Sequence, residues 1–209
     1  MLTEKQPHPS QRVLPDDPVV AIVGATGAVG AVLIECLEAR KFPLSRLRLL
    51  ASSRSAGKTA AFRGENLMIE ELSNKSFDGV DMALFSAGAT LSRKYASIAV
   101  SAGAVVIDNS SAFRMDDNVP LVVPEVNASA AHQHHGVVAN PNCVAAIVAV
   151  ALAPLRGCRQ ITRLQMATYQ GVSGAGAQAL EELHASTAAA LREELFEHKV
   201  LPHLSLIHI

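Results

Sequence analysis

The chain has 209 residues, 49% of them apolar, and its 18 basic side chains nearly cancel 19 acidic ones. That length and composition allow a substantial core in one large domain or two small ones. The charges are scattered, with no basic stripe or acidic tail, which argues against nucleic acid or a membrane surface as partner and leaves small charged metabolites.

The opening segment, residues 1–17, is polar and proline-containing and lacks the apolar stretch of a secretory signal, so it reads as a flexible leader. Val19 to Val23 is a short β-branched run that ends in a glycine-rich turn, and Val29 to Ala39 then carries apolar residues at helical spacing. Further strand candidates are Leu47 to Ala51, Met68 to Glu70, Met82 to Phe85, Val105 to Asp108 and Gly136 to Ala139, with a helix over Leu91 to Ala102. Short apolar strands alternating with helices predict an α/β fold, a doubly wound, Rossmann-type, mostly parallel sheet covered on both faces.

After Pro141 the texture changes. Val144 to Leu155 is the longest apolar run; it falls short of the roughly 20 residues of a bilayer crossing and is expected to be a buried helix. An alternating strand Ile161 to Thr168, a glycine-rich loop and a helix from Ala177 to about Leu195 follow. The domain boundaries implied are 18–142 for a cofactor-binding domain and 143–209 for the first part of an α+β catalytic and dimerisation domain. Cys36, Cys143 and Cys158 form no CxxC pair, and an odd count suits a reducing compartment, so the cytoplasm is the expected location.

The turn Gly24-Ala25-Thr26-Gly27-Ala28-Val29-Gly30 lies between a strand and a helix, where glycines let the backbone approach a pyrophosphate seated on the helix N-terminus. A tight turn with close helix packing would require the same glycines. At the end of the second strand, Ala51-Ser52-Ser53-Arg54-Ser55 carries no acid to meet a ribose hydroxyl, so Arg54 and Ser55 point to the 2′-phosphate of NADP. Taken alone, Arg54 also fits a solvated loop charge.

Asn140-Pro141-Asn142-Cys143 leads directly into the apolar helix, which places Asn142 as its N-cap and Cys143 in the first turn. The positive helix end and unpaired N–H groups there favour a thiolate and could stabilise an oxyanion on an attacked carbonyl. Most free cysteines are small buried apolar residues, a description that suits Cys36 and Cys158 better. His132-Gln-His-His135 lacks an acid or cysteine at ligand spacing and reads as a solvated loop with no metal.

Six ordered blocks, Gly24–Gly30, Ser86-Ala-Gly88, Val106-Ile-Asp-Asn-Ser-Ser-Ala-Phe-Arg114, Val122-Val-Pro-Glu-Val-Asn127, Asn140–Cys143 and Tyr169-Gln-Gly-Val-Ser-Gly-Ala-Gly176, resemble the successive signatures of the aspartate-semialdehyde dehydrogenase family. The resemblance runs from about Val19 to Leu195. It implies NADPH-dependent reductive dephosphorylation of L-aspartyl 4-phosphate to L-aspartate 4-semialdehyde, on the route to lysine, methionine, threonine and diaminopimelate. It makes Cys143 the thioester nucleophile, with Asn142 beside it, Gln170 a substrate contact and Arg114 the holder of the substrate phosphate. Gly24, Thr26, Gly27, Ala28, Val29, Arg54, Ser55, Ser173 and Gly174 would contact NADP, and the full-length family assembles as homodimers or tetramers.

Two bland alternatives accompany these roles: Arg114 as a surface ion-pair partner of Asp116 or Asp117, and Gln170 as part of an ordinary connection. Family members continue through a segment with a catalytic histidine in an arginine- and glycine-containing context, which has no counterpart here, and Leu204 to Ile209 do not resemble that continuation. His184 lies in a helix that the family has without a catalytic role, and His198 and His203 sit near the end, in a stretch assigned to no element. The expectation is a truncated or misread chain that binds NADP with impaired turnover. An N-acetyl-gamma-glutamyl-phosphate reductase would share the chemistry, but its nucleophile sits in a Gly-Cys-Tyr-Pro context, against Asn142-Cys143-Val144 here. A non-catalytic NADP-binding fragment is the alternative from another class.

Overall fold

Five consecutive apolar residues, VVAIV, make Val19–Val23 (β1) a strand that can be buried on both faces, and its last four residues are fully so. The computed structural model describes residues 13–158 and 160–201, and these form two compact units that part between Leu164 and Gln165. The first twelve residues of the expected leader, together with His203 and the Leu204 to Ile209 stretch, lie outside the described residues.

In the first unit the chain runs from β1 through α1 (Ala28–Ala39) to β2 (Arg46–Ala51), then β3 (Thr59–Phe62) and β4 (Glu65–Glu71). It continues with β5 (Met82–Phe85), α2 (Ala89–Ser101), β6 (Val105–Asp108), the single turn α3 (Pro124–Asn127), β7 (Val137–Ala139) and α4 (Cys143–Leu152). The seven strands lie in the order β3-β4-β2-β1-β5-β6-β7, parallel except for the β3–β4 pair. From β1 the chain builds outward on one side and then returns to lay β5 on the other. This reversal opens a crevice at the carboxyl ends of β1 and β5.

Alternation along β1 divides the core. Val20 and Ile22 face one apolar layer with Leu49, Ile34, Leu37 and Ile69, while Ala21 and Val23 face another with Phe77, Phe85, Tyr95 and Phe113. Helix α2 docks on the second layer through Ser92, Tyr95, Ala96 and Ala99, one face at 3.6-residue spacing.

The expected doubly wound sheet is therefore present, and β1, β5 and β6 carry the anticipated boundaries. Beyond shifts of a few residues at element ends, three features differ from expectation. The sequence reading omitted β3, which pairs Phe62 with Glu65 across Arg63 and Gly64, both at positive φ (51° and 82°), the geometry of a two-residue hairpin turn. The strand expected over Ile161 to Thr168 is absent: these residues are neither helix nor strand and are exposed, because alternation makes a strand only where a neighbouring edge offers a ladder. Helix α4 forms as expected but is not buried; none of its residues is, and Ile147 and Val150 are 69% and 41% exposed.

In the second unit, α5 (Ala177–Leu191) ends short of the expected Leu195 and buries Ala179, Glu182, Ser186 and Ala189. The Glu182 carboxylate accepts the backbone N–H groups of Lys199, Val200 and Leu201 at 3.0, 2.8 and 2.9 Å, and His198 Nδ1 lies 3.3 Å away. Burial alone would raise the Glu182 pKa, but these donors outweigh it and hold the carboxyl below its ordinary range. A depressed native pKa stabilises above the unfolded-state value and ceases to do so as pH falls through the native one. Amide-exchange protection at Val200 and Leu201 is therefore expected above about pH 5 and lost on further acidification. Glu182→Gln should weaken that protection at neutral pH and flatten its pH dependence; equal protection in both proteins at pH 7 would refute the clamp.

Candidate active site

Six connections leave the carboxyl edge of the first unit's sheet, and four of them, those after β1, β2, β6 and β7, carry the first-unit candidates. After β1, the N–H groups of Gly24 and Ala25 both donate to Leu50 O, at 2.8 and 3.2 Å, and Gly27 N–H closes the turn on Gly24 O at 3.0 Å. Gly24 has φ +89°, and a Cβ there would lie 2.5 Å from Ser86 O; a Cβ on Gly30 would lie 2.1 Å from Gly24 O. Packing alone thus explains these two glycines.

Gly27 is different. It is the N-cap of α1 at φ −75°, no side chain caps the helix, and Thr26, Ala28 and Val29 are exposed around it. An uncapped helix start reached by side-chain-poor backbone fits a pyrophosphate. Thr26 Oγ1 donates to Ser55 Oγ at 3.4 Å, so the turn after β2, with the exposed Arg54, lies beside the glycine turn. The chain thus joins the two elements expected to hold the dinucleotide.

After β7 the chain enters α4 as expected: Asn142 is the N-cap and its Oδ1 accepts Val144 N–H at 3.0 Å. Cys143 is exposed in the first turn, its thiol directed to Asn142 Oδ1 at 4.0 Å. The cap occupies the Val144 N–H, which is withdrawn from the donors an oxyanion could use while that bond holds.

Arg114, half-buried after β6, donates from Nε to Asn140 O at 2.8 Å and from Nη2 to Asn109 O at 3.2 Å. Its guanidinium therefore borders the Asn140–Cys143 turn. The alternative ion pair with Asp116 is not formed, because Asp116 binds both ends of the Arg93 guanidinium at 2.6 and 2.7 Å. That hydrogen bonding holds Asp116 below and Arg93 above its ordinary pKa, and Arg93 also stacks over Phe113, 4.5 Å from the ring centre.

Sequence reasoning missed Asp108. It is fully buried at the end of β6 and accepts Ser92 Oγ at 2.6 Å and Ser110 Oγ at 2.7 Å. An acid at a strand end ordinarily reads as solvated, and a buried one is visible only once α2 is docked over it. Gln170, Ser173 and Gly174 belong to the second unit, where they lie exposed before α5. Among the described residues no group of three His, Cys, Asp or Glu side chains stands where a metal ion could be held, and no helix is long and apolar enough to cross a membrane. An open hollow of about 700 Å³ lies at the carboxyl end of α4, lined by Glu125, Val126, Val150, Ala153, Pro154 and Gly157, away from the nucleophile end of that helix.

The family model for the NAD binding domain of semialdehyde dehydrogenase matches residues 19–134, and that for its dimerisation domain matches residues 152–203. Aspartate-semialdehyde dehydrogenases of Bacillus subtilis and of Synechocystis are each 50% identical over 88% of the chain, which covers 53% and 54% of them. The chain thus spans about half the length of the curated relatives it matches. Among solved structures, aspartate semialdehyde dehydrogenase II from Vibrio cholerae, complexed with ASA, superposes with a TM-score of 0.84 at 44% identity, over 90% of this chain and 57% of that one. The Candida albicans enzyme with NADP gives a TM-score of 0.56 at 26% identity, over 68% of this chain and 47% of that one.

Proposed function

Because this chain belongs to the semialdehyde dehydrogenase family, we propose that its site serves the reductive dephosphorylation of L-aspartyl 4-phosphate to L-aspartate 4-semialdehyde. The observation that carries the reading is Cys143, exposed in the first turn of α4 and capped by Asn142, on the sheet edge that also bears the glycine turn. Relatives at about half identity, those of Bacillus subtilis and Synechocystis among them, bear the aspartate-semialdehyde dehydrogenase name.

In the proposed reaction the Cys143 thiolate attacks the acyl carbon, a sulfur–carbon bond forms, and the carbon–oxygen bond to phosphate breaks. Arg114 receives the departing phosphate, using guanidinium donors beyond the two that bind Asn140 O and Asn109 O. When bound, a nicotinamide cofactor would supply the hydride that reduces this thioester to the aldehyde, with Cys143 leaving as the thiolate. The glycine turn and the α1 N-terminus hold its pyrophosphate. Arg54 and Ser55, with no nearby acid in the turn, favour NADP over NAD.

Gln170 contacts the substrate, and Ser173 and Gly174 the cofactor, in this proposal. Residues 18–142 form the NADP domain, and residues from 143 onward begin the catalytic and dimerisation domain through which the protein forms a homodimer or tetramer; the dimerisation-domain match supports that assembly. The protein would work in the cytoplasm, in the synthesis of lysine, methionine, threonine and diaminopimelate.

The test follows NADPH formation from aspartate semialdehyde and phosphate, using this chain extended by the remaining residues of the Bacillus subtilis relative. Turnover with NADP is expected, with Arg54→Ala weakening NADP but not NAD by about tenfold, the worth of one charge-assisted contact. The 209-residue chain alone is expected to bind NADPH and turn over more slowly. Turnover by the extended protein with N-acetylglutamate semialdehyde and none with aspartate semialdehyde would refute the assignment.

A further inference from the structure

The buried carboxylate of Asp108 has no part in the proposed reaction, yet it stands one residue from the turn that carries Arg114. A carboxylate removed from water is costly unless its oxygens are satisfied, and an apolar residue would fill a strand end at less cost. Among the described residues no cation hydrogen-bonds to it; both oxygens are met by serine hydroxyls, Ser92 from α2 and Ser110 from the turn itself. A carboxylate accepts only, so it fixes the direction of both O–H bonds. Ser110 Oγ is thereby left to accept Ala112 N–H at 3.0 Å, which shapes the 110–112 turn.

That turn is joined to the nucleophile's segment at several points. Asp108 O accepts Asn140 N–H at 2.8 Å, Arg114 Nε donates to Asn140 O at 2.8 Å, and Asn140 Nδ2 approaches Asn109 Oδ1 at 3.5 Å. The N–H, C=O and side chain of Asn140 are thus all held by residues 108–114, and Pro141, Asn142 and Cys143 follow directly.

Resting on the reading of Cys143 as nucleophile, we propose that Asp108, through Ser110 and Arg114, is a positioning residue that fixes the turn from which Cys143 projects. Asp108→Asn is isosteric but offers an NH2 group where one serine hydroxyl needs an acceptor. The Asn109–Arg114 turn then loosens, and Asn140 with it.

The 209-residue chain allows a direct test, since Cys36, Cys143 and Cys158 are all exposed. Iodoacetamide alkylation resolved by peptide mass spectrometry gives the rate at each thiol, with Cys36 and Cys158 as references in the same molecule. Asp108→Asn should lower the Cys143-to-Cys36 rate ratio about fivefold, the worth of one net hydrogen bond, and leave the Cys158-to-Cys36 ratio unchanged. Ser110→Ala and Ser92→Ala should lower it less, and they decide the matter if Asp108→Asn does not fold. A general loss of stability would move all three thiols together. An unchanged Cys143-to-Cys36 ratio in folded Asp108→Asn, or in both serine variants should it not fold, would overturn the proposal. Failure of the extended enzyme to use aspartate semialdehyde would instead refute the assigned reaction, because the thiol ratio needs no turnover.

Discussion

Cys143→Ser is expected to reduce NADPH-linked turnover of the extended enzyme by about four orders of magnitude or more, the scale on which loss of a covalent nucleophile is felt. Serine differs by one atom, but its hydroxyl is almost wholly protonated at neutral pH, whereas a thiol supplies some thiolate there and is intrinsically the better nucleophile. The helix cap does not use the sulfur, since its bond runs from Val144 N–H to Asn142 Oδ1, and a serine hydroxyl can donate to that same oxygen as the thiol does. Thermal stability and NADPH affinity should therefore match the parent, and mass spectrometry should find no acyl adduct. Cys36→Ser, on α1, should leave turnover intact. Retention of more than a few per cent of parental activity by Cys143→Ser would exclude a thioester route.

Much of this site could be read from the chain because its elements are specified locally. β1, β5 and β6 are short apolar runs bounded by glycine or polar turns, and Asn142 declares a helix start by its residue type. What could not be read depends on neighbours distant in sequence. The Ile161 to Thr168 segment alternates like a strand but has no partner edge among the described residues, and α4 is apolar all round yet uncovered there. Asp108 is the converse: its residue type suggests solvent, and only the docking of Ser92 from α2 makes it a core acceptor. β3 was overlooked because only Phe62 of its four residues is buried, although the Arg63-Gly64 turn beside it is a hairpin signal.

The glycine turn is where the packing and ligand explanations part, and two substitutions separate them. Gly30→Ala places a Cβ 2.1 Å from Gly24 O and 2.8 Å from Ala25 Cα; both neighbours are backbone, so no rotamer change relieves the clash. Either α1 shifts off the turn or the turn leaves its two bonds to Leu50 O, and a loss of about 3 kcal/mol or more in denaturant unfolding is expected. Gly27→Ala meets only Gly24 O, at 3.3 Å, from an ordinary φ of −75°. It should cost about 1 kcal/mol of stability, the preference of an N-cap for glycine over alanine. Its methyl group would nonetheless stand where backbone must approach a phosphate, so NADPH affinity should fall about tenfold in a protein that remains folded. If Gly27→Ala bound NADPH as tightly as the parent, packing would suffice for Gly24 and Gly30 and N-cap preference for Gly27, and the α1 N-terminus would lose its claim as the pyrophosphate site.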